Sequence, residues 1–97
     1  MQSVTIKDLS SGKESDLACD GVFIYIGSVP QTLFFKNKLK TDAAGFILTD
    51  ESMATSAKGI FACGDCRKKG FYQVVNACAD GAVAADSAYK FIESKVK

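Results

Sequence analysis

Between Gly21 and Gly27 lies Val22-Phe23-Ile24-Tyr25-Ile26, an apolar run with no charged position on either of its alternating faces. Strand side chains point in turn to opposite sides, so a half-solvated strand alternates polar and apolar residues, and an unbroken run reads as a strand buried on both sides. Both faces then need cover. The 97-residue chain offers one long helical pattern for the purpose, from Gln73 onward, in which Val74, Ala77, Cys78, Gly81, Ala82, Ala85, Ala88, Tyr89 and Ile92 recur at three- and four-residue steps. An α/β fold follows, in which the apolar run demands more cover than the chain carries.

The remaining segments are shorter. Ser3-Val4-Thr5-Ile6-Lys7-Asp8 alternates, Ser10-Ser11-Gly12-Lys13 supplies turn chemistry, and a second extended stretch through Leu17-Ala18-Cys19 completes a hairpin. Pro30 stands where a short helix through Thr32, Leu33, Phe34 and Phe35 begins. Asp42-Ala43-Ala44-Gly45 separates Leu39-Lys40-Thr41 from Phe46-Ile47-Leu48-Thr49 and predicts a second hairpin. Asp50 to Lys58 is a polar crossing that leads into a strand at Ile60-Phe61-Ala62.

Composition narrows the function classes. A net charge of +1 with 24% charged residues favours neither disorder nor a nucleic-acid surface, and the single basic cluster, Arg67-Lys68-Lys69, reads as a solvated loop. No run approaches the roughly 18 apolar residues of a membrane span, and no signal sequence opens the chain, so a cytoplasmic location is expected. The four cysteines, Cys19, Cys63, Cys66 and Cys78, lack the spacing of a secreted disulfide framework, and with no histidine the commonest general base and metal ligand is missing.

Chemistry concentrates at Gly59-Ile60-Phe61-Ala62-Cys63-Gly64-Asp65-Cys66 and the helix start beyond it. Cys63 and Cys66 have dithiol C-x-x-C spacing, but the helix begins several residues later and the intervening Asp65 disfavours a thiolate. A zinc site would need a second close pair or a histidine. The other reading is a ligand loop: Gly64 permits close backbone approach, and Asp65 at a strand end accepts hydrogen bonds from sugar or polyol hydroxyls. Gly70-Phe71-Tyr72-Gln73 contains no Ser, Thr, Asp or Asn to cap the helix, so an external acceptor would satisfy its first N–H groups. A self-capping Asp65 beside a solvated helix end stays open as an alternative.

Gly59 to Asp65, followed by Gln73-Val74-Val75 and a Gly- and Ala-rich helix, resembles the C-terminal flavin-binding segment of bacterial-type thioredoxin reductases. Asp20-Gly21 through Gly27, then Pro30 and Thr32, resembles the strand where that family's NADPH domain returns to its FAD domain, and Thr49-Asp50 with Met53-Ala54-Thr55-Ser56 fits the same pattern. The resemblance implies a piece of a Rossmann-like FAD/NAD(P)-binding fold, with hairpin strands and one long C-terminal helix. Residues 1–27 would be the tail of the NADPH-binding domain and 28–97 the C-terminal part of the FAD-binding domain. It implies FAD contacts at Gly64 and Asp65 (ribityl and pyrophosphate) and at Gln73 and Val74 (the pyrimidine side of the isoalloxazine). Tyr72 stands where the family often has Arg, so the resemblance carries over no NADPH or domain-closure contact through that Arg.

In the intact family enzyme, NADPH reduces FAD and electrons pass through a disulfide to thioredoxin. These residues contain neither a G-x-G-x-x-G loop nor the family's NADPH-domain C-x-x-C. The chain alone is therefore expected to be inactive, to carry only part of the FAD site and not to hold FAD tightly. It is expected to have the N-terminal FAD/NADPH portion as its partner and to self-associate, for instance as a dimer, without binding nucleic acid or membrane. The alternatives are a stand-alone interaction module and a related flavoprotein reductase acting on ferredoxin or a peroxidase partner.

Overall fold

Alternation at the N-terminus produces the expected hairpin. The computed structural model describes residues 1–96; in it β1 (Ser3–Lys7) pairs antiparallel with β2 (Glu14–Ala18), Val4 opposite Leu17 and Lys7 opposite Glu14. Asp8 builds the turn. Its Oδ1 accepts the Ser10 hydroxyl at 2.6 Å and the N–H groups of Ser10 and Ser11 at 2.7 and 3.1 Å. These bonds, the Ser10 hydroxyl first, favour the ionised carboxyl and bring its pKa down to about 2. The hairpin stands apart from any core: of its strand residues only Val4 is even half-buried.

The apolar run after it departs from expectation. Val22 to Ile26 forms no strand, and among the described residues no backbone hydrogen bond involves 20–31. Phe23, Ile24, Tyr25 and Ile26 are 76–90% exposed. A strand exists only through hydrogen bonds to neighbours, and the hairpin, which is paired with itself, gives this segment none. Phe23 and Tyr25 stack on each other with ring centroids 6.1 Å apart.

The expected helix after Pro30 shrinks to one 3-10 turn, Leu33–Phe35, and Pro30 lies outside it. Thr32 holds the N-cap position, but its buried hydroxyl donates to the Gly45 carbonyl at 2.6 Å instead of capping the turn. That bond fastens the segment to the Asp42–Gly45 corner. There Asp42 Oδ1 accepts the N–H groups of Ala44 and Phe46, each at 3.0 Å, and Gly45 takes φ +93°. The second hairpin narrows to a single bridge, Thr41 to Ile47, and Ile60-Phe61-Ala62 likewise to a single bridge between Ala54 and Phe61.

Leu39, Ile47 and Ala62 form the small core, with Phe35, Ala57 and Cys66 packed around it. Ile47 ties the core to the next corner: its N–H donates to the Cys66 carbonyl at 2.9 Å, and the Lys68 N–H donates to its carbonyl at 2.8 Å.

The long helix α1 (Val74–Val96) forms as its periodicity predicts. Its packed face is a correction to that prediction. Ala77, Asp80, Gly81, Ala84, Ser87, Ala88 and Phe91 are buried or half-buried, whereas Val74, Cys78, Ala82, Ala85, Tyr89 and Ile92 of the expected stripe are exposed. The helix has turned about a quarter of the way round, so that Phe91 meets Phe61 edge to face at 6.2 Å. Its more apolar face is left in solvent.

Candidate functional site

The 3-10 turn Gly64–Cys66 sits between the small core and the first turns of α1. Gly64 has φ +78°, the left-handed region where a Cβ is strained, and a Cβ there would meet that of Ala77 at 3.9 Å. Glycine is therefore needed for its backbone conformation, and the space around it is adequate. This turn and the start of α1 are the two parts of the expected ligand loop, and both lie beside Ala77 and Asp80, in the first two turns of the helix.

Asp80 organises the junction. It is 6% exposed, and its Oδ2 accepts Arg67 Nε at 2.8 Å, Lys69 Nζ at 3.0 Å and the Gly64 N–H at 3.2 Å, while Oδ1 accepts an Arg67 terminal nitrogen at 3.0 Å. The Arg67 hydrogen bonds hold its carboxyl well below the usual carboxylate range; burial opposes them, and Lys69 and Gly64 add to the lowering. The same pairing raises Arg67. The solvated-loop reading of the basic triplet thus fails for two of its members: the Arg67 and Lys69 side chains are 16% and 8% exposed, and only Lys68 reaches solvent, at 58%.

Sequence reasoning missed Asp80 because the apolar stripe placed it on the outer face of α1. The available signal was the i, i+2 placement of Arg67 and Lys69, which in an extended connector points both side chains the same way, together with a lone carboxylate amid small residues. Tyr72 completes the connector: its hydroxyl accepts the Lys69 N–H and donates to the Arg67 carbonyl, both at 3.3 Å. Lys69 Nζ lies 5.5 Å from the centre of the Tyr72 ring.

The cysteines do not behave as an activated pair. All four are free thiols. Burial pushes the Cys66 thiol up, Cys63 adds to the effect, and the Cys66 thiol donates to the Cys63 carbonyl at 3.2 Å. A raised thiol pKa is the opposite of what dithiol exchange at neutral pH requires.

The remaining expected residues face solvent. The Asp65 side chain is 66% exposed, 3.5 Å from Lys69 Nζ. Gln73 is exposed and its carbonyl accepts the Ala77 N–H at 3.1 Å, while Val74 is 80% exposed. Among the described residues nothing accepts from the N–H groups of Val74, Val75 and Asn76. An outward carboxylate, a left-handed glycine and a row of free helix N–H groups fit a ligand with hydroxyls and negative charge, approached from one side only. A concavity of about 320 Å³ lies between Thr32, Leu33, Lys36 and the Thr41–Gly45 segment, and Gly64, Asp65, Gln73 and Val74 do not line it.

Comparison with known proteins finds similarity along nearly the whole chain. Thioredoxin reductase of Treponema pallidum (strain Nichols) is 47% identical over 94 residues, covering 97% of this chain and 30% of that protein. The Bacillus subtilis (strain 168) thioredoxin reductase is 44% identical over 91 residues, covering 94% of this chain and 29% of its own length. The crystal structure of thioredoxin reductase from Streptococcus pyogenes MGAS5005 superposes with a TM-score of 0.76 at 43% identity, over 96% of this chain and 30% of that one. The chain thus spans about 30% of the length of the relatives it matches, and its hairpin and long helix are a partial α/β fold of the FAD/NAD(P)-binding type. Residues 2–81 match the family model for pyridine nucleotide-disulphide oxidoreductases, and the chain belongs to that family.

Proposed function

We propose that this chain supplies the C-terminal part of a thioredoxin-reductase-like flavoprotein, residues 1–27 as the tail of an NADPH-binding domain and 28–97 as the C-terminal part of an FAD-binding domain. The observation that carries the reading is 47% identity sustained along 97% of this chain but only 30% of a thioredoxin reductase. The reaction of the assembled protein is then the oxidation of NADPH coupled to reduction of a thioredoxin disulfide to two thiols. FAD, when bound, supplies the two-electron acceptor that links them.

This chain's residues have defined parts in that assembly. Asp65 accepts hydrogen bonds from ribityl hydroxyls, and Gly64 lets the backbone come close to the pyrophosphate. Gln73 and Val74 present backbone N–H groups at the positive end of α1, where negative charge on the reduced ring is favoured. The exposed Val22–Ile26 run and the solvent-facing stripe of α1 receive the N-terminal FAD/NADPH portion, which covers them and holds most of the cofactor. Alone, the chain neither retains FAD nor turns over.

The test is reconstitution. The purified chain is mixed with FAD, with and without a polypeptide carrying the two dinucleotide loops of a thioredoxin reductase of this family. Flavin is expected to co-elute stoichiometrically only with both polypeptides present. Stoichiometric flavin on this chain alone, or none with the partner, contradicts the reading.

A further inference from the structure

We propose that Asp80 is the positioning residue of the Gly64–Cys66 turn, holding it on α1 through the Gly64 N–H and through the two cations that flank it. In naming a support for the flavin loop this rests on the proposed function; the hold itself does not. Asp80 lies in the second turn of α1 and is the buried carboxylate of the junction. Among the described residues it is the side chain hydrogen-bonded both to the first residue of the turn, by the 3.2 Å bond from the Gly64 N–H, and to the connector just beyond it, by the bonds from Arg67 and Lys69.

Three donors converge on Oδ2 and a fourth reaches Oδ1, so each oxygen has to act as an acceptor. An ionised carboxylate meets that demand. An amide does not, because either orientation turns an NH2 group toward donors. The pairing also directs two cations inward. Arg67 is committed to Asp80 and Thr49, and Lys69 is shared between Asp80 at 3.0 Å and Asp65 at 3.5 Å. Without the Asp80 charge, Lys69 would bind Asp65 alone and draw that carboxylate away from a ligand.

Amide hydrogen exchange of the full 97-residue chain, read residue by residue by NMR, tests the proposal without flavin. In the wild-type chain the Gly64 N–H is expected to exchange at least about tenfold more slowly than that of Asp65, which has no acceptor among the described residues, after correction for sequence effects. In Asp80→Asn the protection of Gly64 is lost by about tenfold, while amides in the second half of α1 keep their rates. Equal rates at Gly64 and Asp65 in the wild type would overturn the proposal, as would an Asp80→Asn chain that keeps both its helix and its Gly64 protection. So would a loss of protection spread evenly over α1, which marks a general structural role. If Asp80→Asn loses its helix altogether, the wild-type comparison decides. A protected Gly64 in a chain that never acquires flavin with its partner counts against the proposed function and leaves the positioning role intact.

Discussion

Gly59 and Gly64 both take left-handed backbone, at φ +83° and +78°, but their surroundings separate them. Alanine at 64 meets only ordinary contact with Ala77, so Gly64→Ala should cost about 1–2 kcal/mol from backbone strain. Alanine at 59 would also come within 3.0 Å of the Phe91 ring, so Gly59→Ala should lose more, and urea unfolding of the two variants should rank them in that order. Carboxylates give a second prediction at this scale. The folded pKa of Asp8 is about 2 against an ordinary 3.8, so its contribution to stability is complete above about pH 4 and is lost as the pH falls through the folded value. Asp80 has the same sign. An NMR titration should place the Asp8 midpoint near 2; a midpoint near 3.8 would contradict the Asp8 turn. Glycine turns such as Gly45 and Gly64 were legible in the sequence because φ is a local property. Asp80 was not, because its burial depends on two cations more than ten residues away.

Among the elements, α1 was legible in extent and misread in orientation. Its periodicity marks an apolar stripe through Val74, Cys78, Tyr89 and Ile92, yet the chain packs the adjoining face that carries Ala77, Asp80 and Phe91. Small apolar residues specify a helix facing something without naming the partner, and within this chain the available partners were the charged connector and Phe61. Gly81 shows the consequence: a Cβ there would meet nothing within 4 Å. Gly81→Ala should therefore stabilise the isolated chain by about 1 kcal/mol through helix propensity, seen as a higher melting temperature by far-UV circular dichroism. A lower melting temperature would show that something approaches Gly81 closely in solution. The expected strands at Val22–Ile26 and Ile60–Ala62 failed for a related reason. Their sequences are suited to a sheet, but a sheet is formed by neighbours, and a single bridge or none is available to them here.

Taken whole, the molecule is extended. Its radius of gyration is 20.0 Å and its extents are 68 × 27 × 22 Å, whereas a compact domain of about 100 residues has a radius of gyration near 13 Å. Val29, Leu33 and Phe34 are 71–80% exposed a few residues after the uncovered run at Phe23–Ile26, and large apolar side chains left in solvent in such number favour association. Sedimentation of the isolated chain should accordingly show self-association that rises with concentration; a strictly monomeric chain with a radius near 20 Å would count against it. The same surface supports the proposal that this chain is one part of a flavoprotein whose other part covers it. The most direct measurement is the visible absorption of the chain after gel filtration with FAD and the complementary dinucleotide-binding polypeptide. A stoichiometric flavin band is expected in the joint peak and none with the chain alone; a flavin-free joint peak, or flavin retained by the chain by itself, would show that the chain is not such a part.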